Sequence, residues 1–205
     1  MFSISSKSLG SRLATGVVAV GMATTLAACS SNDAATVSGT PTELMKQGLA
    51  AQQGGANTKA TEIYNQLIAS NPKNEKNLNT YAYYNLGVIN QSEGNSKAAI
   101  TEYQSAISLT PTYLPALFNL ATAQTPALPQ GVVVYPAADQ TGAKEAVSTY
   151  NRILVIKPTD ANTLFNVGLL NYGLGNTALG REQLNQAIAG SPSLATRVPA
   201  GITLK

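Results

Sequence analysis

Apolar residues recur along the chain in four copies of one pattern, each of which ends at a proline. The four prolines are Pro72, Pro111, Pro158 and Pro192. Counting back from each proline finds large apolar residues at three- and four-residue spacing, together with small residues at fixed places. This periodicity is typical of two amphipathic helices that pack on each other. Glycines between the two halves of a copy, such as Gly94 and Gly175, indicate a turn. Each copy therefore predicts a helix-turn-helix.

The second and fourth copies carry the pattern most completely. The second has Tyr83, Leu86, Gly87, Gly94, Ala99, Tyr103, Ala106 and Pro111. These residue types at these offsets resemble the tetratricopeptide repeat, a helix-turn-helix of about 34 residues. The resemblance implies an all-α fold, a right-handed superhelical array (α-solenoid) of about four units over residues 41–192. We place the units at residues 41–74, 80–113, 114–160 and 161–194. One hairpin cannot bury its apolar face alone, so the units must stack.

Three segments depart from the repeat. Five additional residues, 75–79, separate the first two units and form either a helix extension or a longer connection. Residues 125–140 form an insertion in the third unit, where Pro126, Pro129 and Pro136 surround the apolar run of residues 131–135. These prolines prevent a continuous helix, so we expect an excursion with a short extended piece. It either folds back on the array, which we favour, or meets another molecule. The tail, residues 193–205, is too short for a capping helix. Either its apolar residues cover the last helix, or that side meets a partner or another copy of the chain.

The first 28 residues predict an export signal. Lys7 and Arg12 precede the uncharged apolar run of residues 13–26. That run spans about 21 Å as a helix, short of a bilayer core of about 30 Å, which favours a signal peptide over a membrane anchor. Residues 30–40 are small and polar, so residues 29–40 are predicted to be a flexible tether.

The run Leu26-Ala27-Ala28-Cys29 resembles the lipobox of bacterial lipoproteins. The resemblance implies cleavage before Cys29 and attachment of palmitate-type acyl chains to this residue. It places the protein at the cell membrane or outer membrane, facing the periplasm or the cell exterior. Ser30 favours the outer membrane in a cell with two membranes. The alternative is a plain secretory signal with a free thiol, which exported proteins seldom keep.

Composition excludes several functions. Charged residues make up 11 % of the sequence, and the net charge is +3. Without Lys7 and Arg12, 11 basic residues face 10 acidic ones, a net of +1, so no footprint for nucleic acid remains. The chain has no histidine, its one cysteine is predicted to carry lipid, and its carboxylates are scattered. We therefore expect no enzyme activity, no cofactor and no metal site.

The resemblance implies that the first helix of each unit lines an inner groove. Position 5 of the units reads Met45, Tyr84, Phe118 and Phe165. Position 6 reads Lys46, Asn85, Asn119 and Asn166. An apolar, mostly aromatic row beside asparagines suits the capture of an extended peptide. The same residues are also close to the family's average sequence, so the row could reflect packing alone. With Lys46 as the one basic residue, an acidic C-terminus is not a favoured ligand.

The leading hypothesis is a membrane-tethered, extracytoplasmic adaptor that holds a protein or peptide segment while an envelope complex assembles. The alternative is a lipoprotein that binds cell-wall glycan or peptidoglycan, since asparagine and aromatic residues serve that ligand too.

Overall fold

The computed structural model describes residues 38–127 and 134–204. The predicted signal peptide, Cys29 and most of the tether lie outside these residues, as does part of the insertion. The regular structure of the described residues is entirely helical. The helices are α1 (Pro41–Gln53), α2 (Asn57–Ser70), α3 (Leu78–Ser92), α4 (Ser96–Leu109), α5 (Leu114–Gln124), α6 (Gln140–Ile156), α7 (Ala161–Gly173) and α8 (Thr177–Gly190). Three 3-10 helices accompany them at Glu75–Asn77, Ala137–Asp139 and Pro192–Arg197. The predicted all-α fold of helix-turn-helix units is confirmed.

The described chain falls into two compact units. The first comprises residues 38–123 and the second residues 124–204. In the first unit α1 packs against α2, α2 against α3, and α3 against α4. In the second unit α6 packs against α7, and α7 against α8. The third predicted repeat is divided, since α5 belongs to the first unit except for its last residue, whereas α6 belongs to the second. None of the helices within the described ranges is long and apolar enough to cross a membrane.

The ends of the helices follow local sequence signals. Thr40 caps α1: its hydroxyl accepts from the backbone N–H of Glu43, and the Glu43 carboxylate accepts from the backbone N–H of Thr40. This reciprocal pair satisfies two donors that a helix start leaves open. The backbone hydrogen bond from Thr40 lowers the pKa of the exposed Glu43. The turn glycines Gly94 and Gly175 have φ of +81° and +90°, a conformation that L side chains rarely adopt.

Close contact between a glycine and a tyrosine ring joins the helices of the first two hairpins. A Cβ added to Gly48 would lie 2.5 Å from Cε1 of Tyr64, and one added to Gly87 would lie 2.5 Å from Cε1 of Tyr103. Both rings are fully buried. Each hydroxyl then reaches a glutamine at the end of the first helix: the Tyr64 hydroxyl donates to Gln52 at 2.8 Å and the Tyr103 hydroxyl to Gln91 at 2.7 Å. The ring therefore replaces the side chain that the glycine lacks.

The five additional residues between the first and second predicted repeats form the 3-10 helix Glu75–Asn77 and the first two residues of α3. Asn74, Lys76 and Asn77 all have φ between +50° and +56° there. Buried Asn71 donates to the amide oxygen of Asn79 at 3.0 Å, and Asn79 donates to the carbonyl oxygen of Asn71 at 2.7 Å. Paired side-chain and backbone groups offset the cost of burying amides.

The described end of the insertion folds onto its own unit. Tyr135 is 6 % exposed, and its backbone N–H donates to the carbonyl oxygen of Gly173 in α7 at 2.8 Å. Burial, the nearby Tyr150 and the nearby Asp139 raise the pKa of Tyr135 to about 12. Val134 before it is exposed. For this part, folding back is therefore the alternative that holds. Residues 131–133 of the apolar run lie outside the residues that the structure describes.

Replacing Gly87 with alanine tests the glycine-tyrosine contact. Alanine in a helix interior ordinarily gains about 1 kcal/mol over glycine. Here we expect Gly87→Ala to lower the free energy of unfolding by about 1–3 kcal/mol, since the new methyl group overlaps the Tyr103 ring. Urea unfolding followed by circular dichroism measures the change. Gly190→Ala is the control, because its Cβ would meet Ala161 at an ordinary 3.5 Å. A stabilised Gly87→Ala variant would contradict the proposed role of this contact.

Candidate functional site

Four tyrosines form an aromatic cluster in the first unit. Tyr113, which precedes α5, meets Tyr81 and Tyr84 of α3 edge-on, with ring centroids 5.5 Å apart in both pairs. Tyr84 also lies 6.0 Å from Tyr103 of α4. Edge-to-face contacts of this kind are favourable because the positive ring edge meets the negative face. Tyr81 is 38 % exposed, while Tyr84 and Tyr113 are half-buried, so the cluster presents aromatic surface to solvent.

Asn119 of α5 joins this cluster through its side-chain amide. Its Nδ2 donates to the hydroxyl of Tyr103 at 3.3 Å and lies 3.5 Å from the hydroxyl of Tyr84. Burial raises the pKa of Tyr84, Tyr103 and Tyr113, and the Asn119 amide opposes this rise at Tyr84 and Tyr103. The cluster is therefore a neutral surface of phenol and amide groups at physiological pH. Hereafter Tyr81, Tyr84, Tyr113 and Asn119 are called the tyrosine-asparagine cluster.

The other predicted groove residues of the first unit lie in different environments. Met45 is 8 % exposed and packs in the apolar core of α1–α3, so it offers little surface to a ligand. Lys46 is exposed on α1. Asn85 of α3 and Phe118 of α5 are half-buried. Of the predicted row, the structure thus brings Tyr84 and Asn119 into direct contact.

The two predicted groove residues of the second unit are covered. Phe165 is 2 % exposed and Asn166 is 4 % exposed, both on α7. Nδ2 of Asn166 donates to the hydroxyl of Tyr150 at 3.1 Å. The guanidinium carbon of Arg197 lies 4.9 Å from the centroid of the Phe165 ring. Within this unit, both side chains contact the protein itself rather than a free surface.

Sequence reasoning missed Tyr113 and Arg197. Tyr113 stands in the connection before α5, outside the positions that the resemblance assigns to a groove. The signal that could have found it is its place directly before Leu114, where the third unit is predicted to begin. Arg197 follows the last predicted repeat, where no position rule applies. Within the described ranges, no three Asp, Glu or Cys side chains converge in a way that could hold a metal ion.

Comparisons with known proteins assign two helical pairs, α1–α2 and α3–α4, to a family. Family models described as "Tetratricopeptide repeat" match residues 80–113 and residues 44–74. Among curated proteins, none matches the sequence significantly.

Solved structures share the fold at low sequence identity. MamA (41-end) from Desulfovibrio magneticus RS-1 has a TM-score of 0.62 at 15 % identity, covering 79 % of this chain and 81 % of that one. A tetratricopeptide repeat protein from Parabacteroides merdae has a TM-score of 0.62 at 22 % identity, covering 74 % and 54 %. YrrB, described as a TPR protein with an unusual peptide-binding site, has a TM-score of 0.58 at 18 % identity, covering 77 % and 72 %. At these identities the likeness shows the fold alone.

The raised tyrosine pKa values predict loss of stability in alkali. Unfolded tyrosine titrates at about pH 10. The pKa of Tyr135 in the folded protein is about 12, and burial also raises the pKa of Tyr84 and Tyr113. The unfolded chain therefore releases protons first, so stability is complete below pH 10 and falls as pH rises towards 12. Thermal melting between pH 7 and 12, followed with tyrosinate absorbance, measures this. Full ionisation near pH 10 with intact helices would contradict it.

Proposed function

We propose that this chain, which belongs to the tetratricopeptide repeat family, is a lipid-anchored extracytoplasmic adaptor that holds a protein or peptide segment during assembly of an envelope complex. Its repeats stack into the extended surface that interaction scaffolds use, which supports a binding role. The adaptor role, the anchor and the location are our inferences from the sequence and from the site in the first unit.

The tyrosine-asparagine cluster is the observation that carries the binding role. Its rings are held by each other and by the Asn119 amide, so they lose little conformational freedom when a ligand arrives. Aromatic rings provide apolar contact area, while phenol and amide groups can bond an extended backbone. The cluster itself contains no charged residue, which favours an uncharged stretch of polypeptide.

The N-terminal sequence supports the anchor. A lipidated Cys29 would stand nine residues before Ser38, and the Thr40 cap starts α1 two residues after that. Nine residues of extended chain reach at most about 30 Å. An anchor of two or more acyl chains would hold such a chain stably at the bilayer, whereas one chain would hold it only marginally.

The binding role can be tested with the double variant Tyr81→Ser, Asn119→Ala. It removes the exposed ring and the amide that organises the cluster, so we expect recovery of the cross-linked partner from membranes to fall at least tenfold. Leu109→Ser is the control, since Leu109 is 41 % exposed in the same unit and belongs to α4 rather than to the cluster. Both variants should keep their helical circular dichroism. Unchanged partner recovery in the double variant would refute the cluster as the binding surface.

Competition separates the peptide ligand from the cell-wall glycan of the second hypothesis. Release of the captured partner by soluble peptides, with no release by glycan fragments, is the result that the adaptor proposal requires. Release by glycan fragments alone would favour the glycan-binding alternative.

The anchor has its own test in Cys29→Ser. This substitution removes the one thiol that could carry lipid, so the protein should move from the membrane fraction to the soluble fraction and leave the detergent phase of a Triton X-114 partition. Ser30→Ala serves as the control, because it alters the neighbouring residue and spares the thiol. A Cys29→Ser protein that stays with the membrane would rule out the lipid anchor.

A further inference from the structure

The C-terminal segment, residues 192–204, lies on α7 and α8 within the second unit. It begins with the 3-10 helix Pro192–Arg197 and continues without an α-helix. Leu194 is 3 % exposed in a cluster with Leu164, Phe165, Leu184 and Ala187. Val198, Ile202 and Leu204 pack against the same cluster. Of the two alternatives for the tail, covering of the last helical pair by its own apolar residues is the one that the structure shows.

Phe165 of α7 contacts this segment through Arg197. The Arg197 guanidinium, at 4.9 Å from the ring centroid, is within the range of a cation-π interaction. Tyr84 and Phe118, which hold the same position of their repeats in the first unit, are half-buried, whereas Phe165 is 2 % exposed. Other residues of the same chain therefore bury the side chain of this predicted groove residue.

The contacts that hold the segment are mainly apolar. Its backbone bonds are short-range: the N–H of Val198 donates to Ala195 and that of Ile202 to Pro199. Nδ2 of Asn185 in α8 donates to the carbonyl oxygen of Leu204 at 3.1 Å, in an exposed position. Apolar contact is not directional, so another chain with the same spacing of side chains can satisfy the same face. Pro199 and Gly201 also prevent a stable terminal helix.

We propose that residues 192–204 are an intramolecular occupant of a docking face formed by α7 and α8, and that a segment of a partner protein replaces them. The partner segment carries apolar residues four apart, as at Leu194, Val198 and Ile202, with an arginine or lysine just before the second. This rests on the proposed function, because Phe165, whose ring contacts Arg197 of the segment, is one of the predicted groove residues. The segment thereby keeps the face closed until a matching partner arrives.

A labelled peptide of residues 191–205 serves as the probe for this face. Fluorescence anisotropy measures its binding to the full chain in detergent and to the variant Ile202→Ser, Leu204→Ser, whose own segment is weakened. We expect the variant to bind the probe at least tenfold more tightly than the unaltered chain. Thr203→Ala is the matched control, because Thr203 is exposed between the two altered residues. A probe with Leu194→Ser and Val198→Ser should lose at least tenfold in affinity.

The proposal would be overturned if the unaltered chain and the double variant bound the probe with equal affinity. It would also be overturned if neither protein bound the probe. Hydrogen exchange on the unaltered chain provides a second measurement that needs no substitution. The amides of Val198 and Ile202 should exchange at least 100-fold faster than that of Leu184 in α8. Exchange as slow as that of Leu184 would mean that the segment opens only together with α8, and would also overturn the proposal.

Failure of this exchange can be distinguished from failure of the proposed function. Tyr81→Ser, Asn119→Ala alters the first unit, to which residues 192–204 do not belong. Loss of partner in that variant combined with no exchange here would leave the adaptor role standing and remove only the self-occupied face.

Discussion

A glycine in the first helix of a pair contacts a tyrosine ring in the second, and this contact sets the distance between α1 and α2 and between α3 and α4. Gly87 has no Cβ, and the Tyr103 ring occupies the place where one would stand. Any larger residue there would push α3 and α4 apart. The hydroxyl would then leave Gln91, and a phenol buried without a partner costs free energy. The second unit solves the same problem with smaller groups, since Gly168 faces Gly180 and Leu184. In both units, close packing of the two helices requires a glycine at this position, because any side chain would overlap the neighbouring helix.

The positions of the side chains in the tyrosine-asparagine cluster depend on this contact. Because the Tyr103 ring is fixed by Gly87, its hydroxyl is fixed as well, and Asn119 of α5 donates to it. The same amide lies 3.5 Å from the hydroxyl of Tyr84, whose ring makes an edge-to-face contact with the ring of Tyr113. A surface built in this way moves only when the core moves. That rigidity is useful for a binding site, because a preorganised surface loses less entropy when the ligand arrives.

Local signals predicted the helices and their turns well. Proline, glycine and the spacing of apolar residues act within a few positions of one another, so the sequence is sufficient for them. Exposure at the groove positions could not be predicted in the same way. Phe165 and Tyr84 hold the same repeat position, yet Arg197 lies over one of them and the other is half-buried. What covers a side chain depends on segments far away in sequence. Asn74 and Asn77 likewise adopt left-handed conformations in a connection whose side-chain and backbone hydrogen bonds no repeat pattern encodes.

The small number of charged residues affects how such a protein would associate with a partner. With charged residues at 11 % of the sequence, the cluster offers rings, phenols and an amide instead of an electrostatic field. Uncharged surfaces associate at ordinary rates, because no long-range attraction guides the encounter. A lipid anchor of the kind proposed would compensate for this. By confining the chain to the membrane face, it would raise the effective concentration towards any partner held at the same surface. Specificity would then come from direct contact with the preorganised rings of the tyrosine-asparagine cluster. The tether would keep the protein close to its partner.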